Sequence, residues 1–428
     1  MRVAIIGGGI AGMGAALRLA ERGVDVELFE AERRLGGDCW GAEVEDETGA
    51  RHIVDVGVSD FNQASFPRCA ALFADLGLAV APICQDASFM TTDRRLVYHT
   101  RGGELVIPPG LPGAATLRRD IEAFQRAARE VLADPALAST PCAAFLAAGG
   151  YSPAFRELWF EPRALARFST PHAPLGEQPI GTFVRFWHMH GIVGVGGSER
   201  MCVVGGMHSY CARVEQRLRD LGASLRLGQR VLDVSRDESG VRVRAEPPAQ
   251  GLPRVVTRAD AAIIATDANQ VVPLLADADA REREAYGASP TQAAWVVVHS
   301  DPDVMPIERA SWGAYNFVVA RPGERVDPPT ITYWPRLLAR AAGVTHGGVF
   351  VAVNPTVAPD PRRVLFARAF THPVADGQTA ARASRIEALQ GSRRVWVCGS
   401  YLEDPFLHEN ALASGQRAAD RLLAAHAR

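Results

Sequence analysis

Lysine is absent from this 428-residue chain, and all 46 of its Lys/Arg positions are arginine. Arginine stays protonated at any physiological pH and forms no imine with a carbonyl. A Schiff base, a lysine general base and a lysine that positions a reacting water are therefore excluded. Cysteine is sparse as well: seven residues stand at 39, 69, 84, 142, 202, 211 and 398. The number is odd and no CxxC occurs, so neither a disulfide framework nor a zinc site is indicated, and free thiols in a reducing compartment are expected. No window approaches the roughly 18 consecutive apolar residues of a membrane span. Charge is balanced, with a formal net of −2 and 22 % charged residues, which speaks against a nucleic-acid binder or an acidic tail. The strand-like "RVAIIGGG" follows Met1 at once. No basic region, apolar region and cleavage site precede it, so a cytoplasmic protein without a signal peptide is expected.

What is present begins with core material: 47 % of residues are hydrophobic, ample for two closely connected domains. Val3–Ile6 reads as a buried strand, the glycine turn after it opens a helix ending at Gly23, and "VDVELFE" (24–30) is a second strand. This is a βαβ unit of about 30 residues. Residues 115–134 predict an amphipathic helix with Leu117, Ile121, Phe124, Val131 and Leu132 on one stripe. A second helix is predicted over about 154–168. The aromatic "GTFVRFWHMHGIVGVGG" follows, then a turn and helix from "VVGGMHSYC", strands near 224–234 and 240–246, and a buried strand in "AAIIATDA". Residues 290–372 read mainly as strands, and the chain closes with strand "RVWVCGS", a loop and a helix.

Gly7, Gly9 and Gly12 make G-x-G-x-x-G between a strand and a helix, and Glu30 stands at the end of the next strand. Gly7 allows the tight turn, Gly9 admits a pyrophosphate, Gly12 lets helix and strand pack closely, and Glu30 is placed for a ribose 2′-OH. "AERRLGG" directly after Glu30 has the Glu-Ala-x-x-Arg-x-Gly-Gly form typical of large flavoproteins, in which Arg34 can reach a phosphate and Gly36 and Gly37 let the chain pass near the ring end. "GVGGSERM" lacks a strand–turn–helix context, so one nucleotide is expected, FAD, bound non-covalently.

With "VWVCGSY…HENALASGQRAADRL" at the other terminus, these residues resemble the FAD-dependent amine-oxidase superfamily, which includes monoamine oxidases and phytoene desaturases. A nearer resemblance, through "VDVGVSDFNQASFPRCAALFADLG", "FVRFWHMHG", "TYWPRL", "FTHPV" and "CGSYL…HENALASG", is to a bacterial branch of NAD/FAD-binding oxidoreductases. Its genes often lie beside those of cyclopropane-fatty-acid synthase-like methyltransferases. The resemblance implies an α/β fold: a Rossmann-like FAD-binding domain (about 1–80, 200–285 and 385–428) and an interleaved α+β substrate domain. The latter combines a helical part (85–200) with a mostly antiparallel sheet (286–384). It further implies that Val231 meets the adenine through its backbone, that Ala265 and Thr266 end a strand near the cofactor, and that Gly399 passes the ribityl chain. Asn410, Ala411 and Leu412 would begin the last helix, with its free N–H groups facing the flavin N1–C2=O edge. Two departures stand out. Ser400 replaces the superfamily's acid after the glycine, and Asn410-Ala411 replaces the branch's Asp-Gly. Amine oxidases of the superfamily commonly place a lysine, through water, at flavin N5; this chain has none.

Candidate reacting residues are Asn62, His190, Tyr333, His372, His408 and Asn410. His188 and His190, read on a strand, would share a face as a metal pair does, yet no carboxylate or Cys stands at ligand spacing, so no metal is expected. Phe183, Phe186 and Trp187 read as core or as the wall of an apolar pocket. The expected activity is FAD-dependent hydride abstraction (desaturation, dehydrogenation or double-bond isomerisation) on a largely apolar acyl or natural-product small molecule. The alternatives are an amine or amino-acid oxidase using O2 and a non-catalytic flavin-binding module.

Overall fold

A computed structural model describes the chain apart from residues 167–174, 194–199, 248, 250–251, 288, 321–329, 375, 377 and 428. The fold grows from strand Arg2–Ile6, whose Val3, Ala4 and Ile5 are wholly buried. A strand apolar on both faces belongs inside a parallel sheet with layers on either side. Arg2–Ile6 indeed pairs in parallel with Asp25–Glu30 and with Ala261–Ile264; Ser224–Leu227 and Val395–Val397 complete a five-stranded parallel sheet at its two edges. Strands from the beginning, middle and end of the chain thus share one sheet.

Helix Ile10–Ala20 covers this sheet and packs on the C-terminal helix His408–His426. The two approach through glycine: a Cβ on Gly415 would stand 1.9 Å from the Ala11 carbonyl oxygen, and one on Gly14 would stand 2.6 Å from a Leu412 methyl. A buried ion cluster supports the adjoining three-stranded antiparallel sheet (Val231–Asp237, Gly240–Ala245, Val255–Ala259). There Arg236 donates to both oxygens of Glu282, at 2.5 and 2.9 Å, and to Asp277.

The second large layer is an eight-stranded sheet. Its order is Val364–Pro373, Thr291–His299, Phe350–Val353, Ile331–Tyr333, Tyr315–Val318, Ala87–Met90, Leu96–Arg101 and Glu104–Val106. All neighbours run antiparallel except Tyr315–Val318 with Ala87–Met90. Residues 87–106, expected within the helical part, therefore supply three of its strands.

The expected helix over 115–134 is found at Ala114–Ala133. Leu117, Phe124 and Val131 are buried, but Leu132 is exposed because it lies one residue, about 100°, off the Val131 stripe. The helix predicted over 154–168 is described as far as Ala166 and contains one wider, π-helical turn at Arg156–Phe160; residues 167 and 168 lie outside the described residues.

"IGTFVRFWHM" is a helix, not a strand. Ile180, Phe183, Val184 and Trp187, spaced i, i+3, i+4 and i+7, bury one face among Phe124, Trp159 and Phe160. His188 and His190 consequently lie on different sides of the helix end, and the shared face assumed for a metal pair does not exist. Phe183 belongs to this core, while Phe186 and Trp187 also reach a cavity wall.

Gly415→Ala should lower stability by about 1–3 kcal/mol, since a methyl group must displace the Ala11 carbonyl. Denaturant unfolding followed by circular dichroism measures this.

A candidate dinucleotide and substrate cavity

The turn after strand Arg2–Ile6 shows why its glycines are there. Gly7 has φ +106°, and a Cβ on it would meet the Ala265 carbonyl oxygen at 2.6 Å. A Cβ on Gly12 would stand 1.9 Å from the Gly7 carbonyl oxygen. Gly9 differs: the nearest atom to a Cβ there is the Gly37 Cα, 4.0 Å away, so its Cα faces open space. That space belongs to a cavity of about 1400 Å³, lined at this end by Gly7, Gly9, Glu30, Gly36 and Gly37. The second glycine pair is tied to the first by the Gly36 N–H donating to the Gly8 carbonyl at 2.9 Å. Glu30 accepts from the N–H groups of Gly8 (2.6 Å) and Glu32 (2.8 Å), and burial holds its pKa above the ordinary range.

Val231, Ala265, Thr266, Gly399, Ser400 and Ala411 line the same cavity. Four residues expected at the cofactor stand behind its wall. Gly12 is packed on Gly7, and Leu412 is buried against Gly14. Arg34 is not among the lining residues: its Nη1 donates to the Cys39 carbonyl at 3.2 Å, its guanidinium lies 3.6 Å from the centre of the Trp40 ring, and its Nη2 is buried without a partner among the described residues. Arg368 occupies the same indole at 3.7 Å.

Asn410, the fourth, turns back on its own helix, its Oδ1 accepting from the Leu407 N–H at 3.0 Å. The helix begins at His408, two residues earlier than expected, and the Ala411 N–H is already bonded to the Leu407 carbonyl. The uncommitted N–H groups of its first turn are those of His408, Glu409 and Asn410. Glu409 caps another helix, Pro67–Asp75, accepting from the N–H groups of Arg68 (3.0 Å) and Cys69 (2.9 Å). His408 alone of the three reaches the cavity. Its Nε2 meets the Tyr210 hydroxyl at 2.8 Å, and burial pushes its pKa down to about 4.

One face of the eight-stranded sheet floors the rest of the cavity. Residues two apart on a strand share a face, and Ala87/Phe89, Tyr315/Phe317, Ile331/Tyr333, Val351/Val353 and Phe370/His372 all line it. Tyr333 lines the cavity from this floor, and burial raises its phenol to about 12. His372 ends its strand on the cavity. His190 also lines it, its Nδ1 held 2.9 Å from the Phe186 carbonyl and its ring stacked on Phe186 at 4.2 Å. Asn62 does not line it: its Oδ1 closes a turn by accepting from Ala64 and Ser65, and its Nδ2 is buried without a partner among the described residues.

Several cavity residues went unanticipated. Arg200 pairs with Asp60 at 2.7 and 2.8 Å in a site where their side chains are 10 % and 7 % exposed. The Tyr315 hydroxyl stands 3.5 Å from the same carboxylate, and its ring is 5.3 Å from that of Tyr333. Burial opposes the Arg200 charge, but Asp60 outweighs it and the guanidinium pKa is raised. Asp38 and Asp267 face the cradle end. Burial, and then the Asp38 charge, push Asp267 up to about 7; burial raises Asp38 against the opposing pull of His372 and Arg368. Asp38 directly follows Gly37, which was a usable signal. Arg200 follows "GVGGSE", whose residues 194–199 lie outside the described residues. Among the described residues no group of three His, Cys, Asp or Glu is placed to hold a metal, and no helix is long and apolar enough to cross a membrane.

A parallel sheet with a glycine cradle at its first turn, opening into a cavity floored by a second sheet, defines a Rossmann-type flavoprotein oxidoreductase. The chain belongs to the family of flavin-containing amine oxidoreductases, whose family model matches residues 10–298. Tryptophan 2-monooxygenase of Pseudomonas savastanoi is 34 % identical over 128 residues, which are 29 % of this chain and 21 % of that protein. The match thus spans about a fifth of that curated relative. A putrescine oxidase variant, redesigned in its cofactor binding, superposes with a TM-score of 0.69 at 15 % identity over 99 % of both chains. The CLA-producing fatty acid isomerase from P. acnes superposes at 0.66 and 15 % identity over 98 % of both. These two likenesses show a common fold.

The neutral His408 has a pH consequence. Its folded pKa of about 4 lies below the ordinary 6.5, so the unfolded chain takes up the proton first. Its contribution to stability is complete above about pH 6.5 and is lost as pH falls toward 4. His299, also pushed down to about 4 by burial, adds to the same slope. His408→Gln should therefore shrink, without abolishing, the fall in urea midpoint between pH 7 and pH 5.

Proposed function

We propose that this enzyme binds one FAD non-covalently and uses it to take hydride from, or to shift a double bond in, a largely apolar acyl or natural-product small molecule. On this reading residues 1–80, 200–285 and 385–428 form the cofactor domain, and 85–200 with 286–384 the substrate domain. The open space over Gly9 suits a pyrophosphate, and Glu30 keeps lone pairs for ribose hydroxyls. Gly36, Gly37, Val231, Ala265, Thr266, Gly399, Ser400 and Ala411 would hold the remainder. The free N–H groups at the start of helix His408–His426 suit a flavin edge that gains negative charge on reduction. When bound, the isoalloxazine supplies the hydride acceptor.

The observation that carries the substrate class is the aromatic cavity wall, formed by Phe89, Trp159, Phe186, Trp187 and Phe317, in a chain with no lysine anywhere. Such a wall excludes water and binds apolar surface. The chain's own groups have bounded roles. Asp60 and Arg200 neutralise each other and hold Tyr315 by its hydroxyl. Tyr315 and Tyr333, with raised pKa values, stay protonated and offer hydroxyl donors instead of bases. His408 stays neutral and its proton-accepting capacity is turned to Tyr210.

Anaerobic mixing of the holoenzyme with panels of unsaturated acyl or terpenoid compounds and of simple amines tests this. The expected result is loss of the visible flavin band, or product isomerisation without oxygen uptake, with the apolar panel. Bleaching by simple amines alone, with hydrogen peroxide released in air, would replace this reading by an amine oxidase. No reduction and no conversion with either panel would favour a flavin-binding module.

A further inference from the structure

We infer that Arg163 receives a carboxylate at the far end of the substrate, so that the enzyme takes a long apolar chain ending in an acid. This rests on the apolar acyl reading above and narrows it.

Arg163 stands on helix Glu161–Ala166, just after the π-helical turn, and lines the cavity. Three sides of its guanidinium are defined. The carbon lies 4.2 Å from the centre of the Phe89 ring and 4.5 Å from that of Trp159. Nη1 donates to the Tyr98 hydroxyl at 2.7 Å and to the Trp159 carbonyl at 3.1 Å. Tyr98 donates its own O–H to the Leu158 carbonyl at 2.9 Å, so toward Arg163 its hydroxyl is the acceptor. Nε and Nη2 make no hydrogen bond with the described residues, and no carboxylate of these lies within ion-pair distance.

Two other arginines of the cavity are placed differently. Arg200 and Arg368 line the same cavity, and each meets a carboxylate, Asp60 and Glu32 respectively. The buried Arg236 meets two. Among the described residues its Nε and Nη2 are open to an incoming anion, and a guanidinium's planar fork matches a carboxylate.

Position decides which kind of acid. Phe89 lies on Ala87–Met90, five strands across the sheet from Val364–Pro373, which carries His372 toward Asp38 and the glycine cradle. Strands lie about 4.8 Å apart, so the sheet spans about 24 Å between the two places, and the cofactor takes up the cradle end of that span. An extended chain laid along the Phe317 and Phe89 side of the floor would bring its acid to Arg163.

The test titrates holoenzyme with oleate and with oleyl alcohol, below their aggregation limits, following perturbation of the flavin spectrum and binding heat. Wild type should bind oleate about tenfold to a hundredfold more tightly than the alcohol. Arg163→Gln should bind both alike, with its affinity for the alcohol and its melting temperature kept. Arg163→Lys, which keeps charge but not the fork, should retain part of the preference, and it serves if the glutamine variant does not fold. Equal binding of acid and alcohol by wild type, or a preference that survives in Arg163→Gln, overturns the anchor while leaving the apolar reading intact. Binding of neither ligand by wild type overturns the apolar reading itself.

Discussion

Two carbonyl oxygens leave no room for a methyl group, and the molecule is organised around them. The Gly7 carbonyl presses on Gly12, and the Ala11 carbonyl presses on Gly415, with distances to a notional Cβ of 1.9 Å in each case. The first contact draws helix Ile10–Ala20 against its own strand, so that the turn between them opens over Gly9. The second locks the C-terminal helix onto the N-terminal one across almost the whole length of the chain. That helix starts at His408, and His408 and Ala411 of its first turn line the same cavity as the glycine cradle. A cavity wall made from both termini follows from close backbone packing, which only glycine permits.

Permanent positive charge in the cavity comes from arginine, since the chain has no lysine. Arg200 is neutralised by Asp60, and Arg368 by Glu32, while Arg34 and Arg368 both lie against the Trp40 ring. Asp38 and Asp267 carry raised pKa values at the cradle end, and His408 carries a lowered one. Burial thus favours the neutral form of each of these groups at that end. The Tyr315 hydroxyl at Asp60 and the Arg163 guanidinium are among the polar features of a floor and wall otherwise rich in aromatic and aliphatic side chains.

Local pattern carries much of this. The strand, glycine turn and helix at residues 2–20 are legible because apolar runs and glycine spacing act within one βαβ unit. Helix Ala114–Ala133 is legible from its stripe. "FVRFWHM" reads as a strand only when two histidines two apart outweigh Ile180, Phe183, Val184 and Trp187, whose spacing is helical. Asn410 falls at the ring edge when a substituted acid is the guide; its side chain instead satisfies the Leu407 N–H that starts its own helix. Arg34 stands where its motif expects a phosphate ligand, yet a tryptophan six residues on takes its guanidinium.

The amino-acid sequence by itself determined the cofactor class, the exclusion of lysine chemistry and the glycines of the cradle. Each depends on residue identity or on contacts within a few tens of residues. The tertiary structure alone decided which side chains meet in the cavity. Asp60 and Arg200 are 140 residues apart and Tyr98 and Arg163 are 65 apart. Such pairs come together through sheet register and helix packing, and no spacing along the chain encodes which face a side chain will find.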